Sequence, residues 1–468
     1  MKKVLFMTMI LILLLPFFSK GQVIASTGVS EVPSSKIDSR LQASLSNLQP
    51  GEMTTVIVRL KEQAALDKIG GSNRASHQRG VIIALQALAN ASQKPIRNLL
   101  DQRAGEGKVK QYQPLWVFNG LSVTTTSDVI QELAARSDVQ DITPDDVQII
   151  PSGYATPEAN IALVNAPALW NLGFTGQGMV VANMDSGVDV SHPDLSTRWR
   201  GGANSWYDPY GQHPTSPVDL SGHGTWTMST MVGGDAGGTT IGVAPGARWI
   251  AVKIFNDAGS TTTTAIHLGF QWLLDPDGNP NTADAPDVIN NSWSYSAPGC
   301  YLDFEQDLQS LRAAWILPVF AAGNAGPSSG TSYSPANNPS AYAVGAIDTN
   351  SVIAPLSSRG PSTCGGSTGV FPDLVAPGVN IRSADLAGGY TVNTGTSLAA
   401  PHVAGGLALL LSAYPNLPAD YQESALNQSA VDLGAAGPDN NYGNGRLDLL
   451  AAFNWLAAAP SPTPTSTA

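Results

Sequence analysis

The segment Asn393-Thr-Gly-Thr-Ser397-Leu-Ala-Ala-Pro401-His-Val-Ala-Gly-Gly406 carries most of the information about the fold of this chain. It opens an apolar stretch that continues to about Tyr414. Proline is tolerated in a helix only near its first turn, so Pro401 predicts a helix that begins close to Ser397. Small residues along the stretch would let this helix pack closely in a core. The Ser397 hydroxyl would lie at the positive end of the helix, which suits either a nucleophile or an ordinary N-cap.

From about Pro151 onward, short apolar runs alternate with helical segments. Runs of Val, Ile and Ala without polar alternation are typical of strands buried on both faces of a parallel sheet. We therefore predict an α/β domain of roughly 300 residues with a mostly parallel sheet. The predicted strands are Met179–Met184, Trp249–Phe255, Val288–Ile289, Ile316–Phe320, Ala343–Ile347 and Leu374–Val375.

A smaller region, residues 51–150, precedes this domain and has a different order of elements. Asn119-Gly120 between two extended runs is a strong hairpin-turn pattern, and Ser127 is a candidate cap for a helix to Ala135. The order β-α-β-β-α-β predicts a small ferredoxin-like α+β domain. Its predicted strands are Thr54–Leu60, Gln113–Phe118, Leu121–Thr125, Val139–Ile142 and Val147–Ile150, and its long helical pattern includes Val81–Leu85 and Ile96–Leu100.

The two ends of the chain have the composition of targeting and linker segments. Lys2 and Lys3 precede an apolar run, and Val23-Ile24-Ala25 offers a small-residue cleavage site. This layout is typical of a secretory signal peptide over residues 1–25; a membrane anchor is the alternative, although the run is short for a span. Residues 26–50 are predicted to be a polar linker. Residues 458–468 are rich in Pro and Thr and predict an extended tail.

The charge of the chain is unevenly distributed and argues against one class of partner. The 468 residues carry a formal net charge of −12. Residues 156–468 hold 8 Lys/Arg against 23 Asp/Glu, and Lys253 is their only lysine. Proteins that bind nucleic acid need a basic surface, so we expect no nucleic-acid partner. We expect a secreted monomer with no stable membrane insertion.

Two cysteines, Cys300 and Cys364, lie in loop-like sequence rich in Gly and Ser. In an exported protein they are candidates for a mutual disulfide, with two free thiols as the alternative. Neither has a histidine neighbour, so the cysteines do not indicate a metal site.

Three further segments place reactive side chains at the ends of predicted strands and helices. Asp185 follows the apolar run 180–184, and active sites of open α/β sheets collect at such carboxyl ends. His223 stands between two glycines, which let substrate approach closely. Asn324 ends another buried strand, where its amide could donate to an oxyanion. Taken singly, each is also typical of a turn, loop or cap residue.

Together with Ser397, these residues supply the parts of nucleophilic catalysis. A serine hydroxyl is a weak nucleophile at neutral pH and needs a base within hydrogen-bond reach, and the base needs an orienting group. Asp185, His223 and Ser397 would serve as orienter, base and nucleophile. Their combination is far less expected by chance than any one of them.

On these motifs the chain resembles the subtilisin-like serine peptidases, the subtilase family, whose triad has the chain order Asp, His, Ser. The resemblance covers about residues 160–457 and is strongest to the bacillopeptidase F-like branch. It implies a three-layer peptidase domain over 156–457 and an inhibitory propeptide domain over 51–150. The matching segments are Asp185-Ser-Gly, Gly222-His-Gly-Thr225, Ala322-Gly-Asn324, Ile289-Asn-Asn-Ser-Trp293, Phe371–Gly378 and Gly395–Gly405.

The resemblance implies a role for each matched residue. Asp185, His223 and Ser397 would form the triad of an endopeptidase that cleaves polypeptides through an acyl-enzyme, and Asn324 would complete the oxyanion hole. The propeptide would be an intramolecular inhibitor whose end, near Val147–Ile150, lies in the cleft until cleavage between about 150 and 158. The implied substrate-binding residues are Asn256, Gly259, Ser260, Ser292, Trp293, Ser294, Ala322, Gly323 and Tyr333.

Several positions depart from the family pattern. Trp226 stands where His is common, with little expected loss of catalysis. Ser294 replaces a common glycine, and Tyr333 replaces a small residue at the floor of the primary pocket, which predicts a preference for small substrate residues. No metal ligand is assigned: Ca²⁺ is a candidate structural ion in the acidic loop 275–284, but a solvated loop is the favoured interpretation because its glycine is misplaced for an EF-hand.

Three functions remain open on the sequence alone. The first is an active, self-processing secreted endopeptidase, which the intact catalytic positions favour. The second is a catalytically inactive binding protein on the same fold. The third is a dedicated processing peptidase for one partner protein, because selectivity depends on the shapes of pockets and loops.

Overall fold

The structure, a computed structural model, describes residues 36–46, 48–49, 51–145, 149–151, 159–365 and 369–459. The described part of the predicted linker 26–50 contains a helix, Ser39–Leu45. The predicted signal peptide and 12 of the 25 linker residues lie outside the described residues. So do residues 460–468 of the tail and residues 152–158, which include most of the predicted cleavage region.

The N-terminal domain has a four-stranded antiparallel sheet with the strand order β2-β3-β1-β4. Val56 on the central strand pairs with Val123, and Val58 pairs with Ile142, so the apolar positions coincide across the sheet. The ferredoxin-like prediction is confirmed. The elements are α1 (Ser39–Leu45), β1 (Met53–Leu60), α2 (Arg74–Ser92), α3 (Lys94–Gly105), β2 (Val109–Leu115), β3 (Gly120–Thr126), α4 (Ser127–Ala135), β4 (Val139–Pro144) and β5 (Ile149–Pro151).

Three local predictions in this domain need correction. The strand predicted at Gln113–Phe118 is β2, Val109–Leu115, and residues 116–119 form the turn. The long helical pattern is two helices that meet at Gln93, because Pro95 lacks an N–H and fits only the start of α3. The cap of α4 is Thr126, one residue before the predicted Ser127, which is the first helical residue.

The large domain contains a seven-stranded sheet in the order β13-β12-β11-β9-β6-β8-β7, in which every neighbouring pair is parallel. The predicted α/β class is confirmed. Its elements are α5 (Asn160–Leu163), α6 (Ala166–Asn171), β6 (Val180–Asp185), α7 (Pro193–Ser196), β7 (Trp206–Tyr207), α8 (His223–Val232), β8 (Arg248–Lys253), α9 (Thr263–Leu274), β9 (Val288–Asn291), β10 (Trp293–Tyr295), α10 (Glu305–Ala313), β11 (Pro318–Ala321), β12 (Tyr342–Ile347), β13 (Leu374–Pro377), β14 (Ile381–Ala384), β15 (Tyr390–Asn393), α11 (Thr396–Ala413), α12 (Ala419–Ser429) and α13 (Leu449–Ala458).

The strand order changes direction at β6, since the chain moves from β6 to β8 on one side and then returns to β9 on the other. A crevice opens at the carboxyl ends of the strands at such a switch point, and ligands of open α/β sheets bind there. Asp185 is the last residue of β6, and Ser292 directly follows β9. The topology therefore brings these two chain segments to one edge of the sheet.

Helix α11 forms the centre of one apolar layer on the sheet. By length and composition it could cross a membrane, but 89% of it is buried inside the protein, as expected of a core helix. His402 within it is fully buried; its Nδ1 lies 2.7 Å from Leu398 O and its Nε2 lies 2.9 Å from Asn160 Nδ2. Burial lowers the pKa of His402 to about 4.

The two domains share an apolar cluster. The Phe118 ring of the N-terminal domain lies tilted against His267 of α9 at 4.4 Å between ring centroids, and Phe304 meets the same imidazole edge-to-face at 5.1 Å. The Asp145 carboxylate accepts hydrogen bonds from the backbone N–H and the hydroxyl of Thr264, in the first turn of α9. The N-terminal domain thus covers α9 and caps it with an acid.

Cys300 and Cys364 form a disulfide with a Cα–Cα distance of 4.9 Å. This settles the alternative that the sequence left open. The bond joins the loop after β10 to the loop that precedes β13.

Candidate active site

Asp185 and His223 form a buried pair at the carboxyl edge of the sheet. Their exposed fractions are 1% and 4%. His223 Nδ1 lies 2.8 Å and 3.0 Å from the two carboxylate oxygens of Asp185, and the backbone N–H of Ser186 donates to the same carboxylate at 2.7 Å. A carboxylate at Nδ1 holds the proton on that nitrogen, which leaves Nε2 as the basic nitrogen.

Ser397 is the second residue of α11 and is 1% exposed. Its backbone carbonyl accepts a hydrogen bond from Ser292 Oγ at 2.8 Å. The start of α11 is therefore tied to the segment that follows β9, beside the strand that carries Asp185.

Two buried asparagines connect the Ser397 segment to the His223 segment. Asn290 Nδ2 donates to Ser292 Oγ at 3.0 Å and to Asn183 Oδ1 at 2.9 Å, and Asn183 Nδ2 donates to Gly224 O at 3.0 Å. The hydrogen bonds run without a break from the residue after His223 to the carbonyl of Ser397. These buried hydrogen bonds connect the segment that carries His223 to the start of α11.

Asn324 is anchored by one half of its amide and leaves the other half without a partner. Its Oδ1 accepts from the N–H and the hydroxyl of Thr396, each at 3.0 Å. Its Nδ2 is buried and has no acceptor among the described residues. Because Thr396 directly precedes Ser397, this arrangement places the Asn324 side chain near the start of α11, and its role as an oxyanion donor stays a prediction.

The predicted substrate strand is β10, and the structure pairs it with the end of the N-terminal domain. Trp293 lies opposite Pro151, Ser294 opposite Ile150 and Tyr295 opposite Ile149, in antiparallel register. The Trp293 side chain is fully buried in the core, so only its main chain is available to a substrate.

The second predicted substrate segment is a tight turn at residues 256–260. Asn256 Oδ1 accepts from the N–H groups of Ala258 and Ser260, both at 3.0 Å, and Gly259 adopts a φ of +76° that favours glycine. A cavity of about 310 Å³ lies between this turn and residues Ser186 and Ser221. The turn therefore borders the segments that carry Asp185 and His223.

There is little free space around Gly323, the residue that precedes Asn324. Ala322 is fully buried, and a Cβ added to Gly323 would lie 2.8 Å from the Tyr333 ring and 2.9 Å from Ser358 Oγ. The Tyr333 ring thus lies against the backbone of the residue that precedes Asn324. The assignment of Tyr333 to the floor of the primary pocket stays a prediction.

Trp226, the departure from the family pattern, packs against His223. Its ring is edge-on to His223 at 5.8 Å, and its Nε1 donates to Asp385 Oδ1 at 2.9 Å. The expectation of little effect on catalysis stays a prediction.

The acidic loop brings Asp275, Asp277 and Asp284 together, with oxygens within 4.8 Å of one another. Desolvation and neighbouring carboxylates raise the pKa of Asp275 and Asp284. Ca²⁺ takes six to eight oxygen ligands, and several oxygens of this cluster already accept protein hydrogen bonds, from Gln86, Asn204 and Thr282. These donors suit a solvated loop better than a calcium cage, and that interpretation stays a prediction.

Sequence reasoning missed Asn183, Asn290 and Thr396, although all three lie within quoted segments or next to them. Asn183 and Asn290 are polar residues inside runs predicted to be buried strands, and this is a usable signal because buried polar groups need partners. Thr396 carried no local signal.

Comparisons with known proteins agree with this geometry. A model of the subtilase family matches residues 176–445, and a model of peptidase inhibitor I9 matches residues 55–148. Bacillopeptidase F of Bacillus subtilis (strain 168) is 34% identical over 479 residues, which is 90% of this chain but 32% of that protein. Subtilisin E of the same organism is 31% identical over 81% of this chain and 92% of its own length. Subtilisin Savinase of Lederbergia lenta is 36% identical over 62% of this chain and 97% of its own length.

The parallel sheet, the Asp185–His223 pair and a serine at the start of a buried helix define a serine endopeptidase. The chain belongs to the subtilase family and carries an I9 inhibitor domain ahead of the peptidase domain. It spans about a third of the length of bacillopeptidase F.

Proposed function

We propose that this chain is the self-processing zymogen of an exported serine endopeptidase, with Ser397 as nucleophile, His223 as general base and Asp185 as its orienter. The observation that carries the proposal is the two-point contact of Asp185 with His223 Nδ1. This contact leaves Nε2 to accept the serine proton. A chain of buried hydrogen bonds also runs from the carbonyl of Gly224, the residue after His223, to the carbonyl of Ser397.

In the proposed reaction, Ser397 Oγ attacks the carbonyl carbon of the scissile peptide while His223 Nε2 takes the hydroxyl proton. The carbonyl oxygen becomes an oxyanion, to which Asn324 Nδ2 and the Ser397 backbone N–H donate. His223 then gives the proton to the leaving amine, and the C–N bond breaks to leave an acyl-enzyme. Water attacks the ester with His223 again as base, which releases the acid and restores Ser397.

We propose that substrates bind as an added strand on β10. The pairing of residues 149–151 with β10 supports this, because in strand addition the main-chain hydrogen bonds supply affinity and the side-chain pockets supply specificity. The same pairing supports an inhibitory role for the N-terminal domain, which would occupy the cleft as a substrate does.

The register also suggests where self-cleavage occurs. The described pairing ends with Pro151 opposite Trp293, whose chain neighbour Ser292 donates to the Ser397 carbonyl. We propose cleavage after Ser152, between the predicted domains 51–150 and 156–457. A serine on the acyl side of the bond also fits a primary pocket narrowed by Tyr333.

Export through residues 1–25 and monomeric action are part of the proposal. The Cys300–Cys364 disulfide supports an oxidising compartment.

The test compares the full-length wild type with Ser397→Ala, and uses Ser412→Ala in the same helix as a matched control. Wild type and control should lose about 150 N-terminal residues by mass, give a new N-terminus at Gly153 and digest casein. Ser397→Ala should remain at precursor length and be inert. A Ser397→Ala protein that digests casein overturns the nucleophile assignment.

A wild type that matures but leaves casein intact would point to a dedicated processing peptidase. A folded wild type that neither matures nor digests casein would point to the inactive binding protein.

A further inference from the structure

Asp219 is a buried carboxylate that five donors surround, although it touches neither Asp185 nor Ser397 directly in any described contact. Its exposed fraction is 5%. Oδ1 accepts from Ser186 Oγ at 3.0 Å and from the N–H groups of Ser221 and Gly222 at 2.9 and 3.0 Å. Oδ2 accepts from the N–H and the hydroxyl of Thr225 at 2.9 and 2.7 Å.

These donors come from both sides of the Asp185–His223 pair. Ser186 directly follows Asp185, and its Oγ also accepts from the N–H of Gly224 at 2.9 Å. Gly222 and Gly224 flank His223. One carboxylate therefore connects the strand end that carries the orienting acid to the turn that carries the base.

Asp219 also caps the helix that presents His223. The N-cap of α8 is Gly222, with a φ of +88° and no side chain to accept from the first turn. Asp219 supplies the missing acceptor by taking the N–H of Gly222 and the N–H of Thr225, three residues into the helix. A carboxylate at a helix N-terminus also interacts favourably with the helix dipole.

The backbone around Asp219 is tightly packed and leaves little room for the chain to move. A Cβ on Gly187 would lie 1.9 Å from Val218 O, and a Cβ on Gly224 would lie 2.0 Å from Gly187 O. Gly187 and Asp219 also form an isolated β-bridge. Two chain segments, 186–187 and 218–225, meet here, and the Asp219 carboxylate accepts hydrogen bonds from both.

We propose that Asp219 is a positioning residue for the catalytic pair: through Ser186 and the Gly222–Thr225 turn it sets the His223 imidazole against Asp185. The inference rests on the proposed function of His223 as base. Asp219 itself transfers no proton and contacts no substrate.

Replacement of Asp219 by Asn tests this with little change in volume. An amide must turn its NH2 toward one set of N–H donors, so it loses either the bonds at Ser221 and Gly222 or the bond at the Thr225 backbone. Misplacement of a reacting group by about 1 Å costs on the order of 100-fold in rate. We expect Asp219→Asn to lower kcat about 10- to 100-fold and to leave KM within about twofold.

The matched control is Asp194→Asn. Asp194 is 1% exposed and accepts from Ala236 N at 2.7 Å and from Tyr390 Oη at 2.5 Å, away from the catalytic pair. Each full-length variant is allowed to mature, and kcat and KM are measured on a peptide anilide with a small primary residue, below the unfolding midpoint of all variants. If Asp219→Asn does not mature, the first-order rate of precursor loss replaces kcat and should fall by the same factor.

Ser186→Ala provides a second, milder variant. It should lower kcat about three- to tenfold, and the double variant with Asp219→Asn should be no slower than Asp219→Asn alone, because both act through one connection. Equal kcat in Asp219→Asn and Asp194→Asn, or fully multiplicative effects in the double variant, would overturn the inference. A folded wild type that neither matures nor cleaves the peptide anilide would instead overturn the proposed function.

Discussion

Asn324 offers the sharpest test of the site, because the two halves of its amide have different partners. Oδ1 accepts both bonds from Thr396, while Nδ2 has no acceptor among the described residues. Asn324→Asp keeps an oxygen for Thr396, removes the N–H donor and adds a negative charge beside the developing oxyanion. Asn324→Ala removes both functions, so the two variants separate catalysis from stability.

The expected size follows from the number of bonds lost. Loss of one oxyanion-hole donor costs about 3–4 kcal/mol of transition-state stabilisation, a value established on a subtilisin asparagine, so kcat should fall about 10²- to 10³-fold in both variants. KM should change little, since the bond strengthens only as the oxyanion forms. Asn324→Ala should also lose roughly 2 kcal/mol of folding free energy from the two Thr396 bonds, whereas Asn324→Asp should stay close to wild type at neutral pH.

The assay is kcat and KM on a peptide anilide, with thermal unfolding of the same samples. Thr396→Val is the control, since it removes one anchoring bond and leaves the Asn324 donor in place; its kcat should stay within about tenfold of wild type. A folded Asn324→Asp enzyme with kcat within tenfold of wild type would refute the oxyanion role. The oxyanion role would also be refuted if the loss of activity followed the loss of stability across Asn324→Asp, Asn324→Ala and Thr396→Val.

Further predictions concern pH, specificity, inhibition and metal. Burial lowers the pKa of His402 to about 4, so between pH 6.5 and 4 the unfolded chain binds more protons than the folded protein. Up to about 3 kcal/mol of folding free energy should therefore be lost as pH falls through that window. His402→Gln should flatten the pH dependence of the unfolding midpoint. Tyr333→Gly should raise kcat/KM at least tenfold for substrates with a large aromatic primary residue, relative to substrates with alanine at that position. If the ratio of the two kcat/KM values does not change, Tyr333 does not line the pocket. Asp145→Ala removes the carboxylate that accepts from the first turn of α9, so the N-terminal domain should lose about 1–3 kcal/mol of binding free energy to the large domain. The lag between self-cleavage and the appearance of activity should therefore shorten, and an unchanged lag would contradict this. A chelator should leave the unfolding midpoint unchanged within about 2 °C if the 275–284 loop is solvated, and a larger fall would establish a structural ion.

The local patterns of the sequence anticipated most of the elements. The predicted strands around Val180–Met184, Ala343–Ile347 and Leu374–Val375 occur within one or two residues of their expected positions, because strands buried on both faces of a parallel sheet must be apolar throughout. The helix after Ser397 was equally predictable from its apolar run and from Pro401. The break at Gln93 was not anticipated, since apolar spacing continued across a proline that only a helix start accepts.

The sequence by itself determined which residue types were available for catalysis and their order, and the motif match assigned Asp185, His223, Asn324 and Ser397 their expected roles. Tertiary structure alone decided how these residues are held. The contact of His223 with Asp185, the two bonds from Thr396 that anchor Asn324 and the five donors on Asp219 all depend on segments that meet at one edge of the sheet. A serine at a helix start or an aspartate in a turn has the same local sequence whether or not it faces such partners, because hydrogen bonds between distant segments leave no periodic pattern in either one.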